Sequence, residues 1–299
     1  MSTLLVILGP TGVGKTETSL RLAKEYGCPI VSADSRQIYR DLPIGTAAPT
    51  AEEQHEVTHY FVGCKALTET YNAGQYARDC RTLLDRLFAE YGTVVMVGGS
   101  MMYVDAVLHG LDDIPDVPSS VRESVRESYQ QGGIEWLQSE VMRLDPVYWS
   151  KVDKLNPQRL MRCIEVCRVS GQPYSSFRTS GMPKERRTSL GFDVQEMLIE
   201  RPREELYDRI NRRVDKMIEA GLLDEAKRAF DMLGISLEPQ QGNVSEVLPN
   251  SVNTVGYREL LHYFRSEWSL EQAIEMIKQN SRHYAKRQMT WWRQKQNKI

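Results

Sequence analysis

Short apolar runs separated by amphipathic stretches fill the first 110 residues. The runs Leu4–Leu8, Ile30–Ala33, His59–Val62 and Val94–Val97 are each bounded by turn residues, which is typical of parallel strands buried on both faces. Apolar side chains recur at helical spacing between them, most clearly in residues 73–91. Strands that alternate with helices predict an α/β fold with a doubly wound parallel sheet.

The alternation stops after Pro115. Residues 119–171 carry helical periodicity and no convincing strand, whereas Val194–Ile199 is again strand-like and would complete the sheet. From Pro202 onward the apolar spacing is helical throughout. A block of helices therefore separates the fourth strand from the fifth.

This pattern predicts two domains. Residues 1–115 together with residues 191–299 would form the α/β core and its C-terminal helices. Residues 116–190 would form a helical insertion domain.

A glycine-rich loop follows the first strand directly. Residues 9–16 match the pattern G-x-x-x-x-G-K-[ST] in full, so the backbone N–H groups of the loop would converge on phosphate oxygens at a helix N-terminus. Lys15 would reach the terminal phosphates, and the Thr16 hydroxyl would hold Mg²⁺. The motif predicts a P-loop NTPase-like core that binds a diphosphate or a nucleotide such as ATP, without deciding between them. The predicted binding residues are Gly9, Pro10, Thr11, Gly12, Val13, Gly14, Lys15 and Thr16.

Composition adds little to this picture. The chain has 299 residues, of which 41% are hydrophobic and 26% charged, as in ordinary globular proteins. No apolar run reaches membrane-spanning length, and a core strand begins within four residues of the N-terminus, so we expect a cytoplasmic protein with no membrane partner. The five cysteines lack metal-ligand spacing and favour buried thiols. No strip of exposed apolar residues stands out, which favours a monomer.

The net charge of −2 hides two basic zones. Residues 276–299 contain seven Lys or Arg and no Asp or Glu, and residues 156–187 contain seven basic residues against two acidic ones. Such zones on an otherwise acidic chain indicate an extended anionic partner. The C-terminal zone also contains Trp291 and Trp292, and basic residues mixed with aromatic ones are typical of RNA binding. The alternative is that both tryptophans are buried and the basic residues are merely solvated.

Polar residues follow three of the predicted strands. Asp34 would lie at the carboxyl edge of the sheet beside the glycine loop, either as a general base or as a helix N-cap. Ser100 stands where many P-loop hydrolases have a metal-binding Asp, which counts against an ATPase or a switch GTPase. Arg209 and Arg213 share a helix face and would either stabilise a leaving diphosphate or form a solvated basic face.

Seven motifs occur together in a fixed order along nearly the whole chain. They are Gly9-Pro10-Thr11-(x)2-Gly14-Lys15-Thr16, Asp34-Ser35-(x)2-Ile38-Tyr39, Ile44-Gly45-Thr46-Ala47-(x)-Pro49, Gly98-Gly99-Ser100-Met101-(x)-Tyr103, Asn156-Pro157-Gln158-Arg159-Leu160, Val255-Gly256-Tyr257-Arg258 and Lys286-Arg287-Gln288-(x)-Thr290-Trp291. This combination closely resembles the tRNA dimethylallyltransferase family in its bacterial form.

The resemblance implies a reaction and a set of residues. The family transfers a dimethylallyl group from dimethylallyl diphosphate to N6 of the adenosine 3′ to the anticodon, in tRNAs that read codons beginning with U. The implied catalytic residues are Asp34, Ser100, Lys15 and Arg213, with Mg²⁺ on Thr16. The implied contacts to the tRNA anticodon stem-loop are Asp34, Ser35, Arg36, Gln37, Ser100, Arg122, Gln158, Arg159, Leu160, Met161, Arg162, Asn253, Thr254, Val255, Gly256, Tyr257, Arg258, Lys286, Arg287 and Gln288.

Two departures from the family pattern matter for the expected site. Ser100 replaces the usual Thr, which keeps the hydroxyl but loses the methyl group that restricts its rotamer. Gly12 replaces a common Ala, which we expect to matter little. An ATP-dependent small-molecule kinase shares the loop and Asp34 but leaves the basic C-terminus unexplained. A non-catalytic RNA adaptor would not need Asp34.

Overall fold

The core of the protein is one parallel β-sheet. The computed structural model describes residues 2–178, 190–239 and 248–296. Within these residues the strands β1 to β5 span Thr3–Leu8, Ile30–Ser32, His59–Tyr60, Thr93–Val97 and Asp193–Leu198. All are parallel, in the order β3-β2-β4-β1-β5. The predicted strands and the α/β fold class are confirmed.

The inner strand β1 shows why these runs are apolar. It is paired on both sides, with Val6 opposite Met96 of β4 and Glu196 of β5. Alternate side chains enter two different hydrophobic layers: Leu4 contributes to one layer, and Leu5 to the other. Because both faces are covered, no polar alternation is possible along this strand.

Helices cover both faces of the sheet and continue after it. In the described residues they are α1 (Lys15–Tyr26), α2 (Ala51–Glu56), α3 (Ala73–Leu87), α4 (Met101–His109), α5 (Ser119–Leu144), α6 (Pro146–Trp149), α7 (Pro157–Ser170), α8 (Arg203–Glu219), α9 (Leu222–Met232), α10 (Tyr257–Phe264) and α11 (Leu270–Gln296), with a short 3₁₀ helix at Tyr174–Phe177. Local sequence sets several starts: Thr50 with Glu53 and Asn72 with Gln75 form capping boxes at α2 and α3. In the part of the chain described, no helix is long and apolar enough to cross a bilayer.

The chain divides into two compact units. The first comprises Met1–Leu108 and Ser189–Ile299, and the second comprises His109–Thr188. The second unit contains helices α5 to α7, as the periodicity of residues 119–171 predicts. Residues 179–189 lie outside the described residues, and with them Lys184, Arg186 and Arg187 of one basic zone; Lys298 of the other zone also lies outside.

The second unit has its own core, built where α5 packs on α7. Leu137, Val141 and Ile164 are completely buried there. Asp145 is also completely buried, and its carboxylate accepts hydrogen bonds from Tyr148 N at 2.9 Å and from Ser175 N at 2.6 Å. The carboxylate therefore satisfies the backbone where two short helices begin.

The cysteines fit the sequence expectation in all but one case. Cys28, Cys80, Cys163 and Cys167 are buried, whereas Cys64 is exposed, so the expectation of buried thiols is wrong for Cys64. Among the described residues no group of three His, Cys, Asp or Glu side chains could hold a metal ion.

Candidate active site

The carboxyl ends of β1, β2 and β4 open into a cleft of about 1230 Å³ within the first unit. Most of the predicted site residues line this cleft. They are Thr11, Gly12, Gly14, Lys15, Thr16, Asp34, Ser35, Arg36, Gln37, Ser100, Arg213, Asn253, Thr254, Val255, Gly256, Arg258, Arg287 and Gln288. The cleft therefore brings the glycine loop together with the polar residues that follow two neighbouring strands, as expected at the carboxyl edge of a parallel sheet.

The glycine loop joins β1 to α1 through left-handed backbone conformations. Gly12 has φ 82° and Gly14 has φ 106°, values that residues with a side chain rarely adopt. A Cβ atom at Gly12 would also lie 2.9 Å from Cγ1 of Ile210. An alanine at position 12 would therefore be strained in this chain, and the expectation that the glycine matters little for function stays a prediction.

Lys15 folds back over its own loop. Its Nζ donates hydrogen bonds to the carbonyl oxygens of Gly9 and Pro10, both at 2.9 Å. Burial and the positive charge of Arg213 lower the pKa of Lys15 to about 8, and the negative charge of Asp34 opposes this shift. An anion in the loop would have the opposite effect on the pKa and would favour the ammonium form.

Three arginines hold the outside of the loop. Arg201, just after β5, donates to the carbonyl oxygen of Val13 at 2.8 Å, and Arg209 of α8 donates to that of Gly12 at 2.8 Å. One turn further along α8, Arg213 donates to the Thr11 hydroxyl at 3.0 Å. Arg209 and Arg213 thus share a face that contacts the loop, and the alternative of a solvated basic face is wrong for them.

Arg213 is the most deeply placed of these cations. Burial lowers its pKa, and the charge of Asp34 raises it. A buried guanidinium keeps its charge at neutral pH. It therefore contributes fixed positive charge beside the glycine loop, where a diphosphate would lie.

Asp34 contributes to both the fold and the cleft. Oδ1 accepts hydrogen bonds from the backbone N–H groups of Arg36 at 2.9 Å and Gln37 at 3.3 Å. Residues 33–50 are all described and contain no helix, so the N-cap alternative is wrong and these bonds stabilise a turn instead. Asp34 also lines the cleft. The hydrogen bonds to Oδ1 orient the carboxylate, and its role as a base stays a prediction.

Ser100 ties the ends of β4 and β2 together. Its Oγ accepts a hydrogen bond from Ser35 N at 2.8 Å and donates to Ser35 Oγ at 3.0 Å. Ser100 is mostly buried, at 9% exposure. Its hydroxyl therefore fixes the turn that presents Asp34.

Helix α11 closes the cleft from the other side. The side-chain oxygen of Gln288 accepts from Thr11 N at 2.8 Å, and its Nε2 donates to the carbonyl oxygen of Gly99 at 2.9 Å. Tyr284 donates its hydroxyl to the same carbonyl at 3.2 Å. Gln288 is only 1% exposed, and its amide is already satisfied by protein atoms. Gln288 therefore braces the glycine loop against the turn after β4, and its contact with RNA stays a prediction.

Comparison with known proteins assigns the chain to a family. Residues 37–295 match the family model described as IPP transferase. The chain belongs to the IPP transferase family. It is 47% identical over 98% of its length to tRNA dimethylallyltransferase 2 of Parabacteroides distasonis, covering 92% of that protein. It is 48% identical over 98% of its length to tRNA dimethylallyltransferase 1 of Bacteroides thetaiotaomicron, covering 89% of that protein.

Solved structures agree with this assignment. The tRNA isopentenylpyrophosphate transferase of Bacillus halodurans matches with a TM-score of 0.64 and 32% identity, over 98% of this chain and 87% of that one. A eukaryotic dimethylallyltransferase acting on tRNA matches in fold with a TM-score of 0.74 and 24% identity, over 97% of this chain and 70% of that one. The resemblance inferred from the motifs is confirmed, and the enzyme class is that of a prenyltransferase. The homologues do not favour the kinase alternative.

The remaining residues predicted to contact tRNA lie either in the second unit or on α11. Arg122 on α5 and the residues of α7 belong to the second unit, where Arg122, Gln158 and Arg159 are exposed and Met161 and Arg162 are half-buried. On α11, Lys286 is exposed. Gly9, Pro10 and Val13 lie beneath the loop surface.

Two residues predicted to contact RNA have completely buried side chains, so their RNA contacts stay a prediction. Leu160 is completely buried in the core of the second unit, where it holds α7 in place. Tyr257 is also completely buried, and its hydroxyl donates to Glu225 at 2.7 Å. Of the two tryptophans on α11, Trp292 is buried and Trp291 is 37% exposed. The alternative in which both are buried is therefore wrong for Trp291.

Three residues that support the site, Arg201, Tyr284 and Glu225, stand outside the motifs recognised in the sequence. A signal for Arg201 was present, because it follows β5 at the same edge of the sheet as the glycine loop. Glu225 also had a signal: it shares the apolar face of α9 with Leu222 and Ala229, where a carboxylate needs partners to be buried. Tyr284 has no comparable signal, since a tyrosine on a long helix is equally suited to a core.

Proposed function

We propose that the chain transfers a dimethylallyl group from dimethylallyl diphosphate to N6 of the adenosine 3′-adjacent to the anticodon, in tRNAs that read codons beginning with U. The product would be N6-dimethylallyladenosine, and diphosphate would be released. The main support for this proposal is that the glycine loop with Lys15 and the oriented carboxylate of Asp34 line the same cleft. Membership of the IPP transferase family supplies the reaction class.

The loop side of the cleft suits the donor. Backbone N–H groups, Lys15 and the Arg213 guanidinium surround the position where the diphosphate would lie. As the bond between C1 of the dimethylallyl group and the diphosphate oxygen breaks, the electron pair leaves with the diphosphate. Fixed positive groups stabilise this growing charge without having to reorganise.

The opposite side suits the acceptor. N6 of adenine forms the new bond to C1 and must lose a proton, for which Asp34 is the general base in this proposal. Its Oδ1 is held by the N–H groups of Arg36 and Gln37, so the carboxylate is oriented before the substrate arrives. Proton transfer to such a group typically contributes about 10²–10⁴-fold in rate.

Mg²⁺ belongs to the same proposal. No protein cage of three acidic, His or Cys side chains is present among the described residues, but Mg²⁺ commonly uses one or two protein ligands together with substrate phosphates. Thr16 lines the cleft at the start of α1, and its hydroxyl would complete a site made mainly by diphosphate oxygens. When bound, the ion would supply charge neutralisation to the leaving group.

RNA would approach the cleft through its basic residues. Arg36, Arg258 and Arg287 line the cleft together with the predicted diphosphate loop. The target adenosine must leave its stack to enter, which costs roughly a few kcal/mol and least in a single-stranded loop. Phosphate contacts elsewhere on the RNA would offset this cost. We infer a monomeric, cytoplasmic enzyme, in keeping with the sequence expectation.

One transfer assay tests the proposal. The protein is incubated with dimethylallyl diphosphate carrying a radioactive prenyl group, Mg²⁺ and an unmodified tRNA that has adenosine 3′ to its anticodon. We expect label in the RNA, located at that adenosine after nuclease digestion, and no label when the adenosine is replaced by guanosine. Absence of transfer, combined with ATP turnover on a small acceptor, would favour the kinase alternative instead.

A further inference from the structure

The loop between β2 and α2 forms one wall of the cleft. This loop contains the Ile44–Pro49 motif. Gly45, Thr46 and Ala47 line the cleft. We propose that Glu225 is a positioning residue that holds this wall and, through it, the acceptor side of the site. The inference rests on the proposed function, because it names the substrate whose binding should depend on Glu225.

Glu225 is a carboxylate enclosed by donors. It is 1% exposed, on the inner face of α9. One oxygen accepts from Ile44 N at 2.7 Å, and the other accepts from Gly45 N at 2.8 Å and from the Tyr257 hydroxyl at 2.7 Å. Three donors converge on two oxygens, and these hydrogen bonds fix the backbone of the motif.

The fit around Gly45 is close. A Cβ atom there would lie 2.9 Å from Cδ1 of Leu222, and closer still to the Tyr257 hydroxyl. The motif backbone can therefore reach the carboxylate only because position 45 has no side chain. This explains the glycine without invoking a direct substrate contact.

Hydrogen bonds connect the Ile44–Pro49 motif to Asp34, the candidate base. The side-chain Nε2 of Gln37 donates to the carbonyl oxygens of Thr46 at 3.3 Å and Ala47 at 3.0 Å. The backbone N–H of Gln37 in turn donates to Oδ1 of Asp34 at 3.3 Å. Glu225 is thus connected to Asp34 through the motif and Gln37, although it does not line the cleft itself.

Glu225 also reaches the facing segment of the cleft. Tyr257 directly follows Asn253, Thr254, Val255 and Gly256, all of which line the cleft. The hydroxyl bond from Tyr257 to Glu225 therefore links this segment to the Ile44–Pro49 motif. The tyrosine pKa is raised, first by burial and then by the charge of Glu225, so the hydroxyl remains a donor.

The diphosphate side has separate supports. The glycine loop is held by Arg201, Arg209, Arg213 and Gln288. None of the hydrogen bonds described at these four residues involves Glu225 or the Ile44–Pro49 motif. Disturbing Glu225 should consequently impair the acceptor side and leave donor binding intact.

Two variants of different severity test this role. Glu225→Gln places an amide N–H₂ against a backbone N–H donor, and Tyr257→Phe removes one of the three donors while keeping the ring. We expect kcat/KM for the RNA to fall about tenfold or more in Glu225→Gln and less in Tyr257→Phe. The Kd for dimethylallyl diphosphate, measured by calorimetry without RNA, should change less than twofold in both. Asp224→Asn is the matched control, since it makes the same charge change at an exposed position one residue earlier on α9.

The outcomes separate this inference from the proposed function. If wild-type protein transfers no prenyl group, the proposed function fails, and direct binding of an anticodon stem-loop RNA to the variants still measures the acceptor side. If wild type is active but Glu225→Gln loses donor affinity as strongly as RNA efficiency, or matches Asp224→Asn in both, the positioning role is overturned. A thermal melt identifies a variant that fails to fold, and Tyr257→Phe then decides the question alone.

Discussion

The side chain of Gln288 joins helix α11 to Thr11 of the glycine loop, 277 residues away in sequence. Its oxygen accepts the backbone N–H of Thr11 at 2.8 Å, and its amide group donates to the Gly99 carbonyl at 2.9 Å. The same helix exposes Lys286 and Arg287. One residue therefore connects the basic surface of α11, the loop after β1 and the turn after β4.

Replacing Gln288 with Glu should damage donor binding. The carboxylate can still accept from Thr11 but cannot donate to Gly99, and it adds negative charge beside the loop. We expect the Kd for dimethylallyl diphosphate to rise about tenfold or more, measured by calorimetry. Gln279→Glu, an exposed position on the same helix, should leave the Kd unchanged. An unchanged Kd in Gln288→Glu would show that the bridge does not support the loop.

Arg213 and its neighbour Arg212 provide an internal comparison. Arg213 is half-buried and donates to the Thr11 hydroxyl, whereas Arg212 is exposed and pairs with Asp208. Replacing Arg213 with Met should lower kcat by about 10²-fold or more, because a cation facing the leaving group is lost. Arg212→Met should retain nearly full activity. Equal losses in single-turnover assays of the two variants would contradict the assigned role of Arg213.

The two oxygens of Asp34 predict different results for two substitutions. Asn keeps an acceptor for the N–H groups of Arg36 and Gln37 but removes the base, whereas Ala removes both. In Asp34→Asn we expect transfer to fall by about 10²–10⁴-fold with RNA affinity nearly unchanged. Asp34→Ala should additionally weaken RNA binding, because Gln37 loses its anchor. Transfer by Asp34→Asn at close to the wild-type rate would exclude Asp34 as the general base.

Local patterns predicted much of this molecule because they reflect local causes. The strand β1 is apolar on both faces since helices cover both, and the glycine loop is recognisable because its backbone geometry restricts the residues that fit. Asp34 was predicted at the carboxyl edge of the sheet, and one of its oxygens holds the turn that follows β2.

The missed features depend on long-range contacts. Gln288 and Tyr257 stand in motifs that suggested RNA contact, but their side chains turn inward to partners 277 and 32 residues away. Leu160 likewise lies among exposed residues of α7 yet faces the core. Spacing gives the face of a helix, but only tertiary packing decides whether that face meets solvent or protein.

Salt should separate RNA binding from donor binding. Lys286 and Arg287 are exposed on α11, and each phosphate contact they make adds about 0.7 to the slope of log affinity against log salt for single-stranded RNA. Replacing both with Gln should reduce that slope by about one to two. The control pair Lys227→Gln and Arg228→Gln, exposed on α9, should leave it unchanged. Identical slopes for both double variants would exclude α11 from the RNA surface.

The lowered pKa of Lys15 predicts how donor affinity depends on pH. The free enzyme holds this lysine with a pKa of about 8, and a bound diphosphate favours the ammonium form, so binding takes up a proton above that pH. The donor keeps a constant charge there, because the last ionisation of a phosphate group lies near pH 6. We therefore expect its affinity to be flat from pH 7 to 8 and then to fall, approaching about tenfold per pH unit.

Two substitutions at Lys15 complete this test. Lys15→Arg stays charged throughout and should remove the pH dependence, and Lys15→Met should bind weakly at every pH.

The free energy of unfolding should also depend on pH through Lys15, because its pKa of about 8 in the folded protein lies below the ordinary 10.5. The buried ammonium therefore lowers stability below pH 8, and this cost disappears as the pH rises towards 10.5. Lys15→Met should accordingly be more stable than wild type at pH 7, with the difference shrinking between pH 8 and 10.5 in urea titrations. A stability difference independent of pH would contradict the shifted pKa.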